Sequence, residues 1–374
     1  MRRLVGLHLL VLLACQSPSD PEPLTDRPDR EVIGLLGHGN PAVRMEAAAE
    51  LGRRGGEGGF ESLLGLLADP EPAVRAQAAE ALRRIGDPRA APALAAGLSD
   101  LDPTVRCRVA LALGSLGGAA AVPALVAVTT DPEPAVRAAA VRGLGETGAP
   151  GALGAVLAAQ RAESAGGDDP VAACAIVAAA RLGGVAGLSE SLALAGGRLP
   201  ENWLLRAAAA RAVGLAGDRG RTGLLVEWLD RDEDPRVYQS AASGLAMLGE
   251  RGKLSAVLDH PAAARRRAAA AALAAVPGEE AAADLRRAAR DPDPAVVLEA
   301  AAGLLSRGDA EAFPPVIALL AAEEPGLWLG ALDTLVRFSG LDFGRDPARW
   351  SAWFAGRRAE LSFDVAAGVF RSAG

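Results

Sequence analysis

Apolar and polar positions along this chain alternate between two patterns that recur together. A short apolar run, such as Leu63, Leu64, Leu66 and Leu67, is cut by Asp69-Pro70-Glu71-Pro72. Val74, Ala78, Ala81, Leu82 and Ile85 then recur at the spacing of one helical face. Proline cannot continue a helix and holds the residue before it extended, so the break ends the first helix. A proline in the first turn of the second helix does no harm, because its missing amide would have had no partner there. Gly86-Asp87-Pro88 closes the unit, with glycine where a helix C-terminus favours left-handed backbone. The pattern predicts two antiparallel helices of roughly 10 to 14 residues each.

Pro41-Ala42-Val43-Arg44, Pro72-Ala73-Val74-Arg75, Pro103-Thr104-Val105-Arg106 and Pro134-Ala135-Val136-Arg137 stand 31 residues apart. A fixed period of that size marks a solenoid, in which no unit can bury its apolar face alone. A divergent copy spans Ala173 to Gly184. Others run from Leu205 to Asp218, Asp234 to Gly249, Pro261 to Gly278, Asp291 to Gly308 and Pro325 to Gly340. The expected fold is all-α, an α-solenoid of about ten helix pairs over residues 31–340. Only 3% of residues are aromatic while half are hydrophobic. That balance excludes disorder and suits thin, alanine-rich helices that approach closely.

The pattern D-P-x-P-x-V-R-x-x-A-A-x-A-L-x-x-I-G-D-P, matched nearly position by position from Asp69 to Pro88, is similar to the HEAT-like repeats also found in phycobilin lyases. The resemblance implies an α/α superhelix in which an Asp before the turn and an Arg after it form a ladder between neighbouring repeats. Candidates are Asp69, Asp102, Asp131, Asp234 and Asp291 with Arg44, Arg75, Arg106, Arg137 and Arg206. It also implies that the second helix of each pair lines a concave face. With Val74 setting the register, the solvent positions of that face are Gln77, Glu80 and Arg84. Equivalents are Arg108, Leu111 and Ser115; Ala139, Arg142 and Glu146; Ala208, Arg211 and Leu215; and Ser240, Ser243 and Met247. Gln77, Glu80 and the cations Arg108, Arg142 and Arg211 are the candidate partner-binding residues.

The N-terminus changes the expected address. Met1-Arg2-Arg3 precedes an apolar stretch from Leu4 to Leu13, too short to span a bilayer, which needs about 20 residues. Leu12-Leu13-Ala14-Cys15 resembles the lipobox of bacterial lipoproteins, which implies a signal peptide over residues 1–14 and acylation of Cys15. Two or three acyl chains anchor stably where one is marginal. Residues 15–30 carry four prolines and read as an extended, disordered tether. The implied location is a bacterial membrane, with Gln16 after the cysteine favouring the outer one. The net charge of −7 becomes −9 without Arg2 and Arg3, which argues against a duplex-DNA partner.

Residues 341–374 depart from the repeat. Trp350 and Trp353 share one side of a helix starting after Pro347, in an ending that looks like the D-P-x-x-W-x-x-W segment following many bacterial HEAT arrays. A solenoid needs such an atypical cap over its last face.

Little catalytic chemistry is visible. His8 leaves with the signal, and His38 and His260 lie in turns of different repeats, so neither a His–Glu di-iron set nor a zinc site is expected. Cys107 and Cys174 lie in separate repeats and read as small core residues. Gly55-Gly56, Gly117-Gly118 and Gly183-Gly184 fall at helix ends, and there is no phosphate loop and no nucleophile elbow. The expectation is a membrane-tethered protein-interaction scaffold, monomeric and without cofactor or enzymatic activity. The competing expectation is a lyase-like accessory subunit holding a small ligand or chromophore for a partner enzyme.

Overall fold

The computed structural model describes residues 24–372 apart from 57, 165–168, 197–198 and 200. The expected signal peptide and Cys15 lie outside the described residues, as does much of the loops at 163–169 and 196–202. The chain divides into two compact units, Met1–Ala152 and Leu153–Gly374.

In the first unit the helices are α1 (Asp29–Leu35), α2 (Pro41–Arg54), α3 (Phe60–Gly65), α4 (Pro72–Ile85), α5 (Ala91–Gly97), α6 (Pro103–Leu116), α7 (Val122–Ala127) and α8 (Pro134–Glu146). The longer helices α2, α4, α6 and α8 each begin at proline, as the pattern predicts, and pack side by side in that order. The shorter helices run only six or seven residues, and α3 and α7 tighten into 3-10 turns at Leu66–Ala68 and Val128–Thr130. Leu63, Leu94 and Leu125 of the short helices are fully buried, as are Val74, Ala78 and Leu82 of α4.

The long helices touch through glycine and alanine. A Cβ on Gly52 would lie 2.7 Å from Cα of Ala81, and one on Gly114 only 2.4 Å from Cα of Gly143. Backbones in such contact leave no room for larger side chains, which is how a core so poor in aromatics reaches interior density.

The last part of the segment expected to be a tether is structured. Residues 24–26 form a 3-10 turn and Asp29 opens α1. Arg54 pins this start, bonding Asp29 at 2.6 Å and donating also to the carbonyl of Leu24.

The second unit contains α9 (Ala152–Ser164), α10 (Asp169–Ala195), α11 (Trp203–Ala216), α12 (Thr222–Arg231), α13 (Pro235–Met247), α14 (Arg251–Val257), α15 (Ala263–Leu273), α16 (Glu279–Ala288), α17 (Pro294–Leu305), α18 (Phe313–Ala318), α19 (Pro325–Ser339) and α20 (Pro347–Arg357). By length and composition Pro170–Ala195 could cross a membrane. Gly184, at φ 55° and ψ −139°, instead breaks α10 into two helices. These fold onto each other, for a Cβ on Gly187 would meet the carbonyl oxygen of Ala179 at 2.4 Å.

The C-terminal segment is a cap with a part the sequence reading did not anticipate. After α20 the chain makes an antiparallel hairpin of β1 (Leu361–Asp364) and β2 (Val369–Ser372), pairing Phe363 with Phe370. Trp350 is wholly buried and donates from Nε1 to the carbonyl of Gly344 at 2.9 Å. Phe313 of α18 meets Trp353 and Phe370 edge-on, each at 5.2 Å.

Candidate functional site

A charged ladder runs along the turns of each unit. Arg75 grips Asp100 with Nε and Nη2 at 2.7 and 2.8 Å, while its Nη1 donates to the carbonyls of Asp69 and Pro70 in its own turn. The same fork joins Arg44 to Asp69, Arg106 to Asp131, Arg206 to Asp232 and Arg266 to Asp291. Arg137 likewise donates to the carbonyls of Asp131 and Pro132. Each rung carboxylate also accepts an amide two residues on, as Asp100 does from Asp102. One guanidinium therefore ties its own turn to the next with a planar, two-point fit that lysine could not reproduce.

Two of the expected rung acids are misplaced. Asp102 and Asp234 are not in the ladder: they cap their own helices, accepting the amides of Thr104 and Arg236. The rungs are Asp100 and Asp232. A rung acid must stand three residues before the helix begins to face the preceding repeat, whereas an acid immediately before the helix turns back onto its free amides.

His38 and His260 occupy the rung-acid position of their own turns. Each uses Nδ1 as the carboxylate does, accepting the amides of Asn40 and Ala262 at 3.1 and 3.0 Å. Where the rung arginine is replaced by an aromatic residue, another arginine fills in. Arg265 stacks on Tyr238 at 3.9 Å and donates to the carbonyl of Asp232. Arg345 stacks on Trp328 at 4.7 Å and donates to that of Ala322. In both cases the carbonyl is six residues before the ring, the one a ladder arginine would have taken. Sequence reasoning missed this exchange, which shows only when neighbouring turns are set side by side.

The ladder is electrostatically settled. Hydrogen bonds from Arg75 and Arg106 hold Asp100 and Asp131 below the usual carboxylate range, burial opposing, and the same bonds raise both guanidiniums. Each pair thereby resists proton exchange near neutrality while it ties neighbouring turns together. Because the folded value of Asp100 is depressed, its contribution is complete above the unfolded carboxylate value of about 3.9 and is lost as pH falls through the folded value. Asp100→Asn should cost about 1–2 kcal/mol near pH 7, partly screened at the turn surface. In urea unfolding the gap between variant and wild type should shrink by pH 3. An equal gap at both pH values would contradict the charged role.

Other candidate chemistry does not assemble. Among the described residues no group of three or more His, Cys, Asp or Glu is placed to hold a metal ion. Burial pushes the Cys107 thiol up, away from a reactive thiolate. A cleft of about 400 Å³ opens beside His260, Pro261, Arg287 and Pro292, but Arg287 is already bound to Asp259 and Arg266 to Asp291.

The long helices present the other candidate surface. Arg108, Arg142 and Arg211 are exposed as expected. Gln77 and Glu80 are half-buried, and Ala139 and Ala208 are buried, so these positions are not open as expected. Glu80 is held by both Arg83 and Arg84, at 2.9 and 3.0 Å, and Arg142 by Glu146 at 3.0 Å. Among the described residues Arg108 and Arg211 have no ion-pair partner. Arg83 of α4 is raised by its bond to Glu80 and further by Glu146 of α8, two repeats on. Between them the last turn of α6 offers only Gly114, Ser115 and Leu116, so these charges sense one another across it.

Fold and ladder together define an α-solenoid built from helix-pair repeats. The sequence profile of HEAT repeats matches residues 31–102, 92–178 and 252–332, more than half of the chain, and the chain belongs to the HEAT-repeat family. Among solved structures it is similar to importin beta, at 15% identity over 89% of this chain and 59% of that one, with a TM-score of 0.46. It is also similar to the complex of CpcE and CpcF of phycocyanin lyase from a Nostoc species, at 19% identity over 86% and 97%, with a TM-score of 0.34. Human deoxyhypusine hydroxylase matches at 21% identity over 68% and 97%, with a TM-score of 0.31. No curated protein matches the sequence. A HEAT-repeat solenoid is a fold suited to protein interaction, and it does not by itself specify a partner.

Proposed function

We propose that the protein is a non-enzymatic interaction scaffold of the bacterial cell envelope, tethered to a membrane through Cys15 and binding a protein or peptide on the exposed faces of its long helices. The observation that carries the reading is the contrast between its charges. Ladder arginines are consumed by the fold, while Arg108 and Arg211 stand exposed on those faces without an ion-pair partner among the described residues. The lipobox-like Leu12-Leu13-Ala14-Cys15 supports the address, with the polar, proline-rich segment after it giving reach.

In-cell crosslinking followed by affinity recovery tests this directly. Wild type should yield one discrete partner, and Arg108→Glu/Arg142→Glu/Arg211→Glu should lose it while keeping a native circular dichroism spectrum. Cys15→Ser should move the protein from the membrane pellet to the soluble fraction. No partner in either form, or an absorbing ligand retained by the purified protein, would favour the accessory-subunit alternative.

A further inference from the structure

Three neighbouring long helices of the first unit, α4, α6 and α8, are positively charged in a chain whose net charge is −7. Apart from the ladder arginines, α4, α6 and α8 carry four arginines, Arg83, Arg84, Arg108 and Arg142, against two acids, Glu80 and Glu146. The two signs are not presented alike. The side chains of Glu80 and Glu146 are 13% and 19% exposed, whereas those of Arg84 and Arg142 are 47% and 60% exposed. Glu80 is saturated by two guanidiniums on its own helix, and the Arg142–Glu146 pair is an exposed i, i+4 contact of the kind that contributes little to stability. A partner carboxylate can therefore displace it cheaply, while a basic partner finds no free acid on these three helices and, among the long helices of the unit, meets one only at Glu46 of α2.

We infer that this face of the first unit docks an acidic, extended peptide segment, with Arg108 and Arg142 as its anchoring cations. The inference rests on the scaffold reading and names the chemistry of its partner. Guanidiniums can grip carboxylates at two points, so side chains of Asp and Glu or a C-terminal carboxylate suit the face. A nucleic acid suits it less. The face has no aromatic residue on which a base could stack, and the acidic chain repels a polyanion at distance.

The test is a fluorescence-anisotropy titration of the whole protein against labelled peptides of Glu, Asp and Gly, of Lys and Gly, and of Ser and Gly. Only the acidic peptide should bind, and affinity should fall as salt rises to about 0.3 M. Arg108→Glu/Arg142→Glu should weaken it at least about tenfold. Both positions are exposed, and an unchanged circular dichroism spectrum confirms that the fold is kept. Equal binding by the variant, or equal binding of the basic or neutral peptide, would overturn the inference. So would an oligothymidylate that binds more tightly than the acidic peptide.

A neutral obstruction separates this outcome from the parent reading. Ser115→Trp crowds the same face without altering its charge. If it abolishes partner crosslinking while Arg108→Glu/Arg142→Glu does not, the scaffold reading stands and the acidic partner falls.

Discussion

Gly114→Leu should unfold the first unit's stack, lowering stability by about 3 kcal/mol or more in urea titration. Even a lone Cβ at this position would meet Cα, C and O of Gly143 at 2.4, 2.7 and 2.5 Å. All three are backbone atoms, so no rotamer change can relieve the overlap. The helices α6 and α8 must separate, and separating them opens the interface around Val109, Leu113 and Leu144. A repeat array depends on nearest-neighbour interfaces, so loss of one weakens the whole stack around it. Gly65→Ala is the matched control. That glycine has helical backbone and nothing within 4 Å of an added Cβ, so the variant should be neutral or gain up to about 1 kcal/mol. If Gly114→Leu unfolds at the wild-type urea midpoint, the close helix crossing is not what holds this unit together.

The parts legible in the sequence are those written in local chemistry. Pro72, Pro103 and Pro134 announce helix starts because a missing amide and a fixed φ have the same consequence in any context. The 31-residue period then supplies the stacking, since equivalent faces must meet their neighbours. What failed depended on relations across repeats. Asp100 and Asp102 flank the same turn, and composition cannot separate them; only counting back from Pro103 shows which one faces Arg75. The service of Arg265 to Tyr238 and of Arg345 to Trp328 is likewise invisible to a period analysis, because the substitute comes from a position the consensus leaves unassigned. At the C-terminus the alternation in Leu361-Ser362-Phe363-Asp364, followed by Gly368 and the strand-favouring pair Val369-Phe370, was a readable strand signal. Strands of four residues are short enough for the helical context to mask them. The candidate binding face was found in outline, but exposure at Ala139 and Ala208 was misjudged, for both are buried.

Trp350→Ala should be the costliest change in the second unit, at about 3–5 kcal/mol. The indole is fully buried, lies 4.8 Å from the ring of Phe343 and 5.8 Å from that of Trp353, and its N–H satisfies the carbonyl of Gly344. Removing it leaves a large void and an unpaired carbonyl together. Trp350→Phe keeps most of the apolar area and loses only the hydrogen bond, so it should cost less than half as much. The two variants also decide whether the C-terminal segment is an appendage or part of the core. One continuous set of buried residues extends from Ala172 to Trp350, Phe354 and Phe370, with Phe313 of α18 between the repeats and the hairpin. On that geometry Trp350→Ala should speed hydrogen exchange in α18 and α19 as well as in the hairpin, and should raise binding of a hydrophobic dye. If exchange quickens only in residues 341–372 while α18 and α19 keep their protection, the segment is a detachable cover. The last repeat would then be stable without its aromatic cap.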